Sequence, residues 1–431
     1  MAVMNKMLMA AGSSEESSYW ISLAGTTRNN TAKGLVSDSN DNVYAAGIGV
    51  PEALTALEDE ALLYKWSNDG TLQFCRGISN VSTDDRYRAI AIDSSDNVYA
   101  AGDSDSDAII AKYNSSGTSQ FFKSLSSIDT EVLYSAYIDS GNNLIVAGST
   151  NSIALIAKYN SSGAVQWQRT LTGSGNTVFY GVSGDSSDNY IAVGVDSTSG
   201  GALIVKYNSS GVLQWQRKLG TSTDFAGACV VDSSGNSYVA GYTNSATGPG
   251  GNTSDALVFK YNSSGVLQWQ KTLTDSGQLN LATGIALDSG NNIYVSGTRN
   301  RPVPVGIQAT MSKYSNAGVL QFQRTLDFDA SFNADDQGSD ISIDSKQNVL
   351  WCGTAQNNAV SNFFNTFVAK LPRDGSLTGT YGPATYAVST MTPGTSTLTS
   401  STSTLTDSAS TLTEATETPA QSGQFNFVTI Q

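Results

Sequence analysis

The chain has 431 residues, of which 14% are charged, and it has a formal net charge of −14 and no histidine. A chain of this length exceeds the size at which one hydrophobic core stops growing, so it consists of several domains or of repeats. The acidic surface would repel nucleic acid, and the lack of histidine excludes Ser-His and Cys-His catalytic pairs and histidine-based zinc sites. We assign no catalytic residue and no metal site.

Residues 1–16 are predicted to form an N-terminal arm. They contain one lysine and a single short apolar run, from Met7 to Ala11. A signal-peptide core and a membrane span both require a longer apolar segment. We therefore expect no membrane insertion and no export signal.

From residue 17 the chain repeats a unit of 46 to 56 residues. An aspartate closes the first apolar segment of each unit, at Asp38, Asp93, Asp139, Asp185, Asp232, Asp288 and Asp344. An asparagine follows four positions later, at Asn42, Asn97, Asn143, Asn189, Asn236, Asn292 and Asn348. A lysine marks the third segment, at Lys65, Lys112, Lys158, Lys206, Lys260, Lys313 and Lys370. Three independent registers therefore indicate seven copies.

Each unit holds four short segments rich in β-branched and aromatic residues, separated by Asn, Ser and Gly, which predicts four strands, named A to D. Such a unit cannot bury both faces alone, and a closed ring of seven removes the unpaired ends. The sequence thus predicts an all-β fold, a seven-bladed β-propeller of four-stranded blades, over residues 17–386. No D segment follows Lys370, whereas Tyr19 to Leu23 resembles one. We expect this N-terminal strand to complete the seventh blade and close the ring.

The repeated halves, D-x-x-G-N-x-Y-x-x-G and aK-x-x-x-x-G, resemble the SBBP repeats of bacterial and phage seven-bladed propellers. This resemblance covers about residues 34 to 371 and implies the propeller fold. The run from Met7 to Gly12 and the Thr/Leu-rich tail also resemble virion proteins of marine and cyanobacterial phages. This second resemblance implies a protein of a phage particle.

The tail differs in composition from the ring. Ser-Thr-(Met/Leu)-Thr recurs at 389, 396, 403 and 410, a strict period of seven within residues 387–422. The period is typical of a heptad helix, but threonine is a poor helix former. Two alternatives stay open: a flexible or extended stalk or linker, and a self-associating helical stalk. The last segment, 423–431, alternates apolar and polar residues and is predicted to be a strand that can add to a partner.

The repeated residues are expected to be structural. Each aspartate is predicted to cap its own turn; Ca²⁺ binding is the alternative, although each turn offers few carboxylates for that ion. Each lysine is predicted to reach a carboxylate or a carbonyl at the blade edge. The strand-D aromatic residues are predicted to wedge one blade onto the next, and they are Phe74, Phe121, Trp167, Trp215, Trp269 and Phe322. The cysteines, Cys75, Cys229 and Cys352, are expected to be buried and unpaired.

The two faces of the ring are predicted to differ. The A–B and C–D turns are short and similar in every unit, whereas the B–C and D–A loops vary, and function favours variable loops. Charged residues of these loops are therefore candidates for a binding site, with ordinary solvated loop charges as the alternative. They are Glu58, Asp59, Glu60, Asp84, Asp85, Arg86, Arg88, Arg299, Arg301, Asp335 and Asp336.

These features favour a non-enzymatic phage virion protein, structural or receptor-binding, in a tail, fibre or capsid. Its expected partners are other virion proteins, through the terminal segments, and a host surface glycan or protein, with no cofactor. One alternative is an extracellular bacterial adhesin or lectin-like propeller. Another is a carbohydrate-active enzyme with paired carboxylates across the channel.

Overall fold

Every regular element in the described part of the chain is a β-strand, and that part contains no helix suited to crossing a membrane. The computed structural model describes residues 2–10, 19–25, 29–50, 59–79, 84–127, 129–173, 175–197, 200–221, 224–244, 254–275, 278–300, 306–328, 335–356, 363–381, 383–396, 399–402, 406–409, 413–416, 420–422 and 427–429.

The strands form seven antiparallel sheets arranged in a ring, so the predicted seven-bladed propeller is confirmed. In each blade strand A lines the central channel and strand D lies outside. Blade 1 comprises β3 (Asn30–Ser37), β4 (Val43–Gly49), β5 (Glu60–Trp66) and β6 (Leu72–Ser79). Blade 2 comprises β7 (Asp85–Ile92), β8 (Val98–Ser104), β9 (Asp107–Tyr113) and β10 (Ser119–Ser126). Blade 3 comprises β11 (Glu131–Ile138), β12 (Leu144–Thr150), β13 (Ile153–Tyr159) and β14 (Val165–Thr172).

The remaining blades repeat this order. Blade 4 comprises β15 (Thr177–Gly184), β16 (Tyr190–Asp196), β17 (Ala202–Tyr207) and β18 (Leu213–Leu219). Blade 5 comprises β19 (Phe225–Val231), β20 (Ser237–Asn244), β21 (Ser254–Tyr261) and β22 (Leu267–Thr274). Blade 6 comprises β23 (Asn280–Leu287), β24 (Ile293–Asn300), β25 (Ile307–Tyr314) and β26 (Leu320–Asp327). Blade 7 comprises β27 (Gln337–Ile343), β28 (Val349–Gln356), β29 (Phe364–Leu371) and, as its D strand, β2 (Tyr19–Gly25).

The N-terminal strand closes the ring, as predicted. β2 pairs antiparallel with β29, with Trp20 opposite Lys370 and Leu23 opposite Phe367. Trp20 is fully buried, and its Nε1 donates to the carbonyl oxygen of Asn68 in blade 1 at 3.0 Å. Trp20 thereby joins blade 7 to blade 1 by the same kind of contact that a strand-D aromatic residue makes between neighbouring blades elsewhere in the ring.

The strand-D aromatic residues are the wedges between blades that the sequence predicts. Trp167 donates from Nε1 to the carbonyl oxygen of Ser209 at 3.2 Å, and its ring lies on the turn glycine of blade 4, Gly211. A Cβ at Gly211 would stand 2.7 Å from that ring, and a Cβ at Gly70 would stand 2.5 Å from Trp20. These turns therefore require glycine, both for this close approach and for positive φ.

Each repeated aspartate caps its A–B turn, as predicted. Asp38 accepts hydrogen bonds from the backbone N–H groups of Asn40 and Asn42 at 3.0 and 2.9 Å, and from the Asn42 side-chain amide at 2.9 Å. The other six aspartates accept equivalent bonds.

The repeated lysine links its own blade to the next one. Lys112 lies 3.4 Å from the Asp93 carboxylate and donates to the carbonyl oxygen of Ser161 in blade 3 at 3.1 Å. Lys370 lies 2.9 Å from Asp344, and the side chains of both are fully buried. The prediction of a carboxylate or carbonyl partner is confirmed for these lysines.

The tail runs around the outside of the ring. Its strands are β30 (Gly379–Tyr381), β31 (Ala384–Val388), β32 (Thr392–Gly394), β33 (Ser400–Thr402), β34 (Thr406–Ala409), β35 (Thr413–Thr416), β36 (Ala420–Ser422) and β37 (Phe427–Thr429). Strands β31 to β36 pair antiparallel with the D strands of blades 6, 5, 4, 3, 2 and 1, in that order. The tail therefore forms a belt, by which we mean β31 to β36, that adds a fifth strand to six blades.

The belt explains the period of seven. The residues that pair with equivalent apolar positions of the D strands are Tyr386, Pro393, Ser400, Asp407, Glu414 and Gln421, opposite Leu326, Leu273, Leu219, Leu171, Leu125 and Ile78. Consecutive belt positions are seven residues apart, and seven extended residues reach about 23–25 Å. Seven residues are thus the length of chain that leads from one blade to the next. The described residues of 387–422 are extended, in agreement with one of the two alternatives. They pair with the ring, however, whereas the sequence suggested a free stalk or a helix.

The chain ends meet at blade 7. β1 (Ala2–Ala10) pairs antiparallel with β2 and takes the fifth-strand position there. β37, within the predicted C-terminal strand 423–431, pairs in parallel with β1. β1 and β37 are therefore both part of the propeller sheet.

Candidate functional site at the channel mouth

Every inner strand carries a β-bulge at the same place. The strand-A residue five positions before the repeated aspartate is skipped in the pairing with strand B. The bulged residues are Lys33, Arg88, Tyr134, Tyr180, Gly227, Thr283 and Ser339. A bulge re-aims its side chain and is common beside functional sites.

The seven bulged residues form a ring around the channel, here called the bulge ring. All seven line two cavities of about 410 Å³ each, one on either side of the ring. The cavity on the B–C/D–A side also contacts the start of strand A in blade 5, at Phe225, and the start of strand C in blade 6, at Ile307. This cavity is the channel mouth on the face with the variable loops.

One arc of the mouth is aromatic. The ring centroids of Tyr134 and Tyr180 lie 4.8 Å apart, those of Tyr180 and Phe225 4.7 Å apart, and those of Phe225 and Tyr242 4.8 Å apart. The four rings span blades 3, 4 and 5 and are all half-buried. Burial raises the pKa of Tyr134, Tyr180 and Tyr242, so these hydroxyls stay neutral at physiological pH.

The facing arc, from blades 1 and 2, carries two cations. Arg88 lies 5.4 Å from the centre of the Tyr134 ring, and its guanidinium is held by two contacts with the Asp103 carboxylate. The ammonium group of Lys33 forms no ion pair or hydrogen bond with the described residues. The Lys33 side chain is exposed to solvent within the channel. Partial desolvation there and the neighbouring Arg88 charge lower the pKa of its ammonium group.

A single carboxylate, Asp340, lines the cavity below the bulge ring. It follows bulged Ser339, at a position where the other blades have glycine, alanine or serine. Its Oδ2 accepts a hydrogen bond from the backbone N–H of Leu35 at 3.2 Å. Burial raises the pKa of Asp340 to about 6, because its effect is larger than that of the backbone N–H donors, which lower the pKa.

The loop residues that the sequence singles out fall into separate groups. Asp59, Asp84 and Arg86 do come together: Arg86 Nε lies 3.1 Å from Asp59, and Arg86 Nη2 lies 2.5 Å from Asp84. Arg88 lies beside them, but it points into the channel as part of the bulge ring. Glu58 and Arg301 lie outside the described residues.

The other predicted residues do not join this group. Glu60 and Asp85 are buried at the first positions of their strands. Asp336 is fully buried and accepts backbone N–H groups of Phe328 and Gln356 at 2.9 and 3.0 Å, so it is a strand cap. Arg299 lies 3.7 Å from Asp275, and Asp335 accepts the backbone N–H of Ile307 at 3.0 Å.

Sequence reasoning missed most of the mouth because it looked for charges in loops. Lys33, Tyr134, Tyr180 and Phe225 lie in strand A, and Tyr242 lies in strand B. A signal was present in the repeats: the position five before each aspartate changes from cationic to aromatic to small. Its neighbours are small or apolar in every unit except the seventh, where Asp340 follows Ser339. Variation at one position within an otherwise repeated strand was the available clue.

Within the described ranges, no group of three or more Cys, Asp or Glu side chains is arranged to hold a metal ion. The three cysteines are free, and Cys75 and Cys352 are buried, as expected, whereas Cys229 is only half-buried. Burial raises the pKa of Cys75. The residues of the mouth are suited to contacting an organic ligand directly, through ring faces, hydroxyls and cations.

A model of the SBBP beta-propeller repeat matches residues 214–248, from strand D of blade 4 through strand B of blade 5. The resemblance to this repeat is thereby confirmed for that stretch. A search of curated proteins finds no match to the chain.

Several solved structures are similar in fold. A fungal alcohol oxidase in complex with copper is 12% identical, with 81% of this chain and 75% of that chain covered and a TM-score of 0.50. The beta-propeller domain of the Trilobed protease from Pyrococcus furiosus is 9% identical, with coverage of 82% and 97% and a TM-score of 0.45. A protein of unknown function from Bacteroides caccae is 10% identical, with coverage of 65% and 92% and a TM-score of 0.42. At these identities the likeness shows the propeller fold alone.

Proposed function

We propose that this propeller is a binding protein that holds a ring-shaped organic ligand, such as a sugar, at the channel mouth without changing it chemically. The observation that carries the proposal is the arc of four aromatic rings from Tyr134 to Tyr242 facing the cations of blades 1 and 2. Ring faces bind the apolar faces of flat ligands, and cations supply orientation.

The dimensions and stiffness of the mouth support this function. Its volume of about 410 Å³ is in the usual range for sites that enclose a small ligand. The bulged residues stand on strands that are paired within blades and packed between blades, so the side chains are held in place before a ligand arrives.

The residues that line the two cavities support binding over hydrolysis. They include one carboxylate, Asp340. Hydrolysis of a glycosidic bond by the usual acid and base pair needs two. A carbohydrate-active enzyme is therefore the weaker proposal, and loss of polysaccharide cleavage on Asp340→Asn substitution would be the result in its favour.

The test of binding is a glycan array followed by calorimetry on the best ligands. Wild-type protein is expected to bind a defined set of glycans, and Tyr180→Ala is expected to weaken binding at least about tenfold, since a stacked ring contributes on the order of 1.4 kcal/mol. Phe363→Ala is the matched control, because Phe363 is exposed on the same face but does not line the cavity. Equal losses in both variants, or no bound glycan at all, would refute the proposal.

For the biological setting we propose a phage virion protein with a host-recognition role, with an extracellular bacterial adhesin as the second candidate. A rigid disc with variable loops on one face suits both. Both terminal segments pair with the ring, so attachment to neighbouring virion proteins would use the outer surface of the belt and blade 7. Mass spectrometry of purified particles tests the virion role, and absence from particles would reject it.

A further inference from the structure

The positions of the charged and aromatic residues in the channel mouth indicate which class of ligand it would bind, provided that the proposed binding function holds. Lys33 and Arg88 occupy equivalent bulges in adjacent blades, so their cations lie on the same side of the mouth. The charge of Arg88 is matched by Asp103, whereas no carboxylate of the described residues pairs with Lys33. Lys33 is exposed to the channel, so a ligand anion would pair with it without displacing a protein carboxylate.

The mouth also offers ring faces from blades 3 to 5, together with hydroxyls from blades 3, 4 and 7. The hydroxyls of Tyr134, Tyr180 and Ser339 form no hydrogen bond with other described residues, although all three line the cavity. Each is able to donate to and accept from a ligand. A flat aromatic acid would leave these three hydroxyl groups without hydrogen-bond partners while it excludes water from them, and this would lower its affinity.

We propose that the ligand is an acidic sugar: a pyranose whose carboxylate contacts Lys33 and Arg88 while its ring lies on the aromatic arc. Its hydroxyl groups meet those of Tyr134, Tyr180 and Ser339. A neutral sugar offers the ring without the anion, and a simple anion offers the charge without the ring. Only the combination engages both arcs of the mouth.

The experiment compares matched probes by calorimetry on the full chain. The pairs are glucuronic acid with glucose and galacturonic acid with galactose; benzoate and inorganic phosphate complete the set. We expect at least one acidic sugar to bind at least tenfold more tightly than its neutral partner. We also expect its affinity to fall as sodium chloride is raised, because salt screens the charges.

Two substitutions assign the effect to the bulge ring. Lys33→Met is expected to remove the preference for the acid, and Lys33→Arg is expected to retain it. Lys346→Met is the control, since Lys346 is an exposed lysine in an A–B turn, on the other face of the ring. A preference that survives in Lys33→Met and falls in Lys346→Met overturns the assignment.

The other outcomes separate this inference from the proposed function. Equal binding of acidic and neutral sugars, weakened by Tyr180→Ala, overturns the acidic class and leaves sugar binding intact. Binding of benzoate without either uronic acid overturns the sugar, and binding of phosphate alone reduces the site to a simple anion site. No binding of any probe or of any arrayed glycan overturns both.

Discussion

Replacing Trp20 with alanine tests whether the N-terminal strand holds the ring closed. Trp20 is fully buried, stacks on Gly70 and donates to the carbonyl oxygen of Asn68 at 3.0 Å. Truncation of a buried tryptophan costs about 3–5 kcal/mol, and loss of the hydrogen bond costs about 1 kcal/mol. We expect the free energy of unfolding to fall by about 4–6 kcal/mol.

Two variants make the comparison specific. Trp215 forms the same contact inside the ring, where Nε1 donates to the carbonyl oxygen of Ser263 at 3.2 Å, but its side chain is only half-buried. Trp215→Ala is therefore expected to cost about 2 kcal/mol. Trp20→Phe keeps an aromatic wedge of the kind that blades 1, 2 and 6 use, and it is expected to cost about 1–2 kcal/mol.

Denaturant unfolding followed by circular dichroism measures these differences, and limited proteolysis locates them. In Trp20→Ala we expect cleavage to begin near the N-terminal strand, because its main anchor to blade 1 is lost. The reasoning fails if Trp20→Ala and Trp215→Ala lose equal stability. It also fails if residues 19–25 stay protected in Trp20→Ala.

Three further predictions concern the belt and the buried carboxylates. Deleting 403–409, one whole period, should keep the later belt strands in register one blade earlier, so that residues 427–429 fall opposite β6 and leave β1 without its outer partner. Deleting 403–406 should instead uncover β14, β10 and β6. Hydrogen exchange should show a loss of about 1 kcal/mol in opening free energy at the uncovered strands, and identical exchange in the two variants would contradict the blade-step interpretation. Asp340→Asn should be more stable than wild type by about 3 kcal/mol at pH 8 and equal to it at pH 4. Wild-type stability should fall as pH rises from about 4 through 6. The raised pKa of about 6 means that in this range the folded state keeps a proton that the unfolded state has already lost. Asp139→Asn should cost about 3 kcal/mol at pH 7, because it leaves buried Lys158, 2.8 Å away, without its partner. Burial raises the pKa of Asp139, but the hydrogen bonds from Lys158 and Asn143 have the larger effect, so the pKa is lowered. The stability difference between wild type and Asp139→Asn should therefore shrink as pH falls below the ordinary aspartate range. Thermal melts at a series of pH values check both substitutions.

The parts of the fold that were predictable are those in which one residue type has one physical use. Aspartate followed four residues later by asparagine closes a turn, and an aromatic residue in strand D packs on the turn glycine of the next blade. Because Tyr19 to Leu23 carries the strand-D pattern without the rest of a unit, ring closure was readable as well. All of these contacts repeat in the structure.

The belt was not readable because a period of seven has two physical origins. In a helix it places every seventh residue on one stripe, and in an extended segment it measures a fixed distance along a partner. The threonine content argued against the helix, but only the spacing of the blades identifies the partner. That spacing is a property of the assembled ring, since Pro393 and Ser400 face Leu273 and Leu219 in different blades.

The same logic explains why the candidate site lies on strands and not on charged loops. The repeated aspartate, lysine and glycine are each committed to a turn, a link between blades or a wedge, so a change there costs stability in every copy. The bulged position takes no part in the turn caps, the lysine links or the strand-D wedges, because it is skipped in the pairing and lines the channel. Among the bulged residues, Thr283 does donate to the carbonyl oxygen of Gly338 in blade 7, at 2.8 Å. Lys33, Tyr180 and Ser339 differ in chemistry while their backbones share one geometry. Under the proposed function, substitutions at bulged residues such as Lys33, Tyr180 and Ser339 would change the ligand, because these side chains form no hydrogen bond with other described residues and take no part in the turn caps or the lysine links.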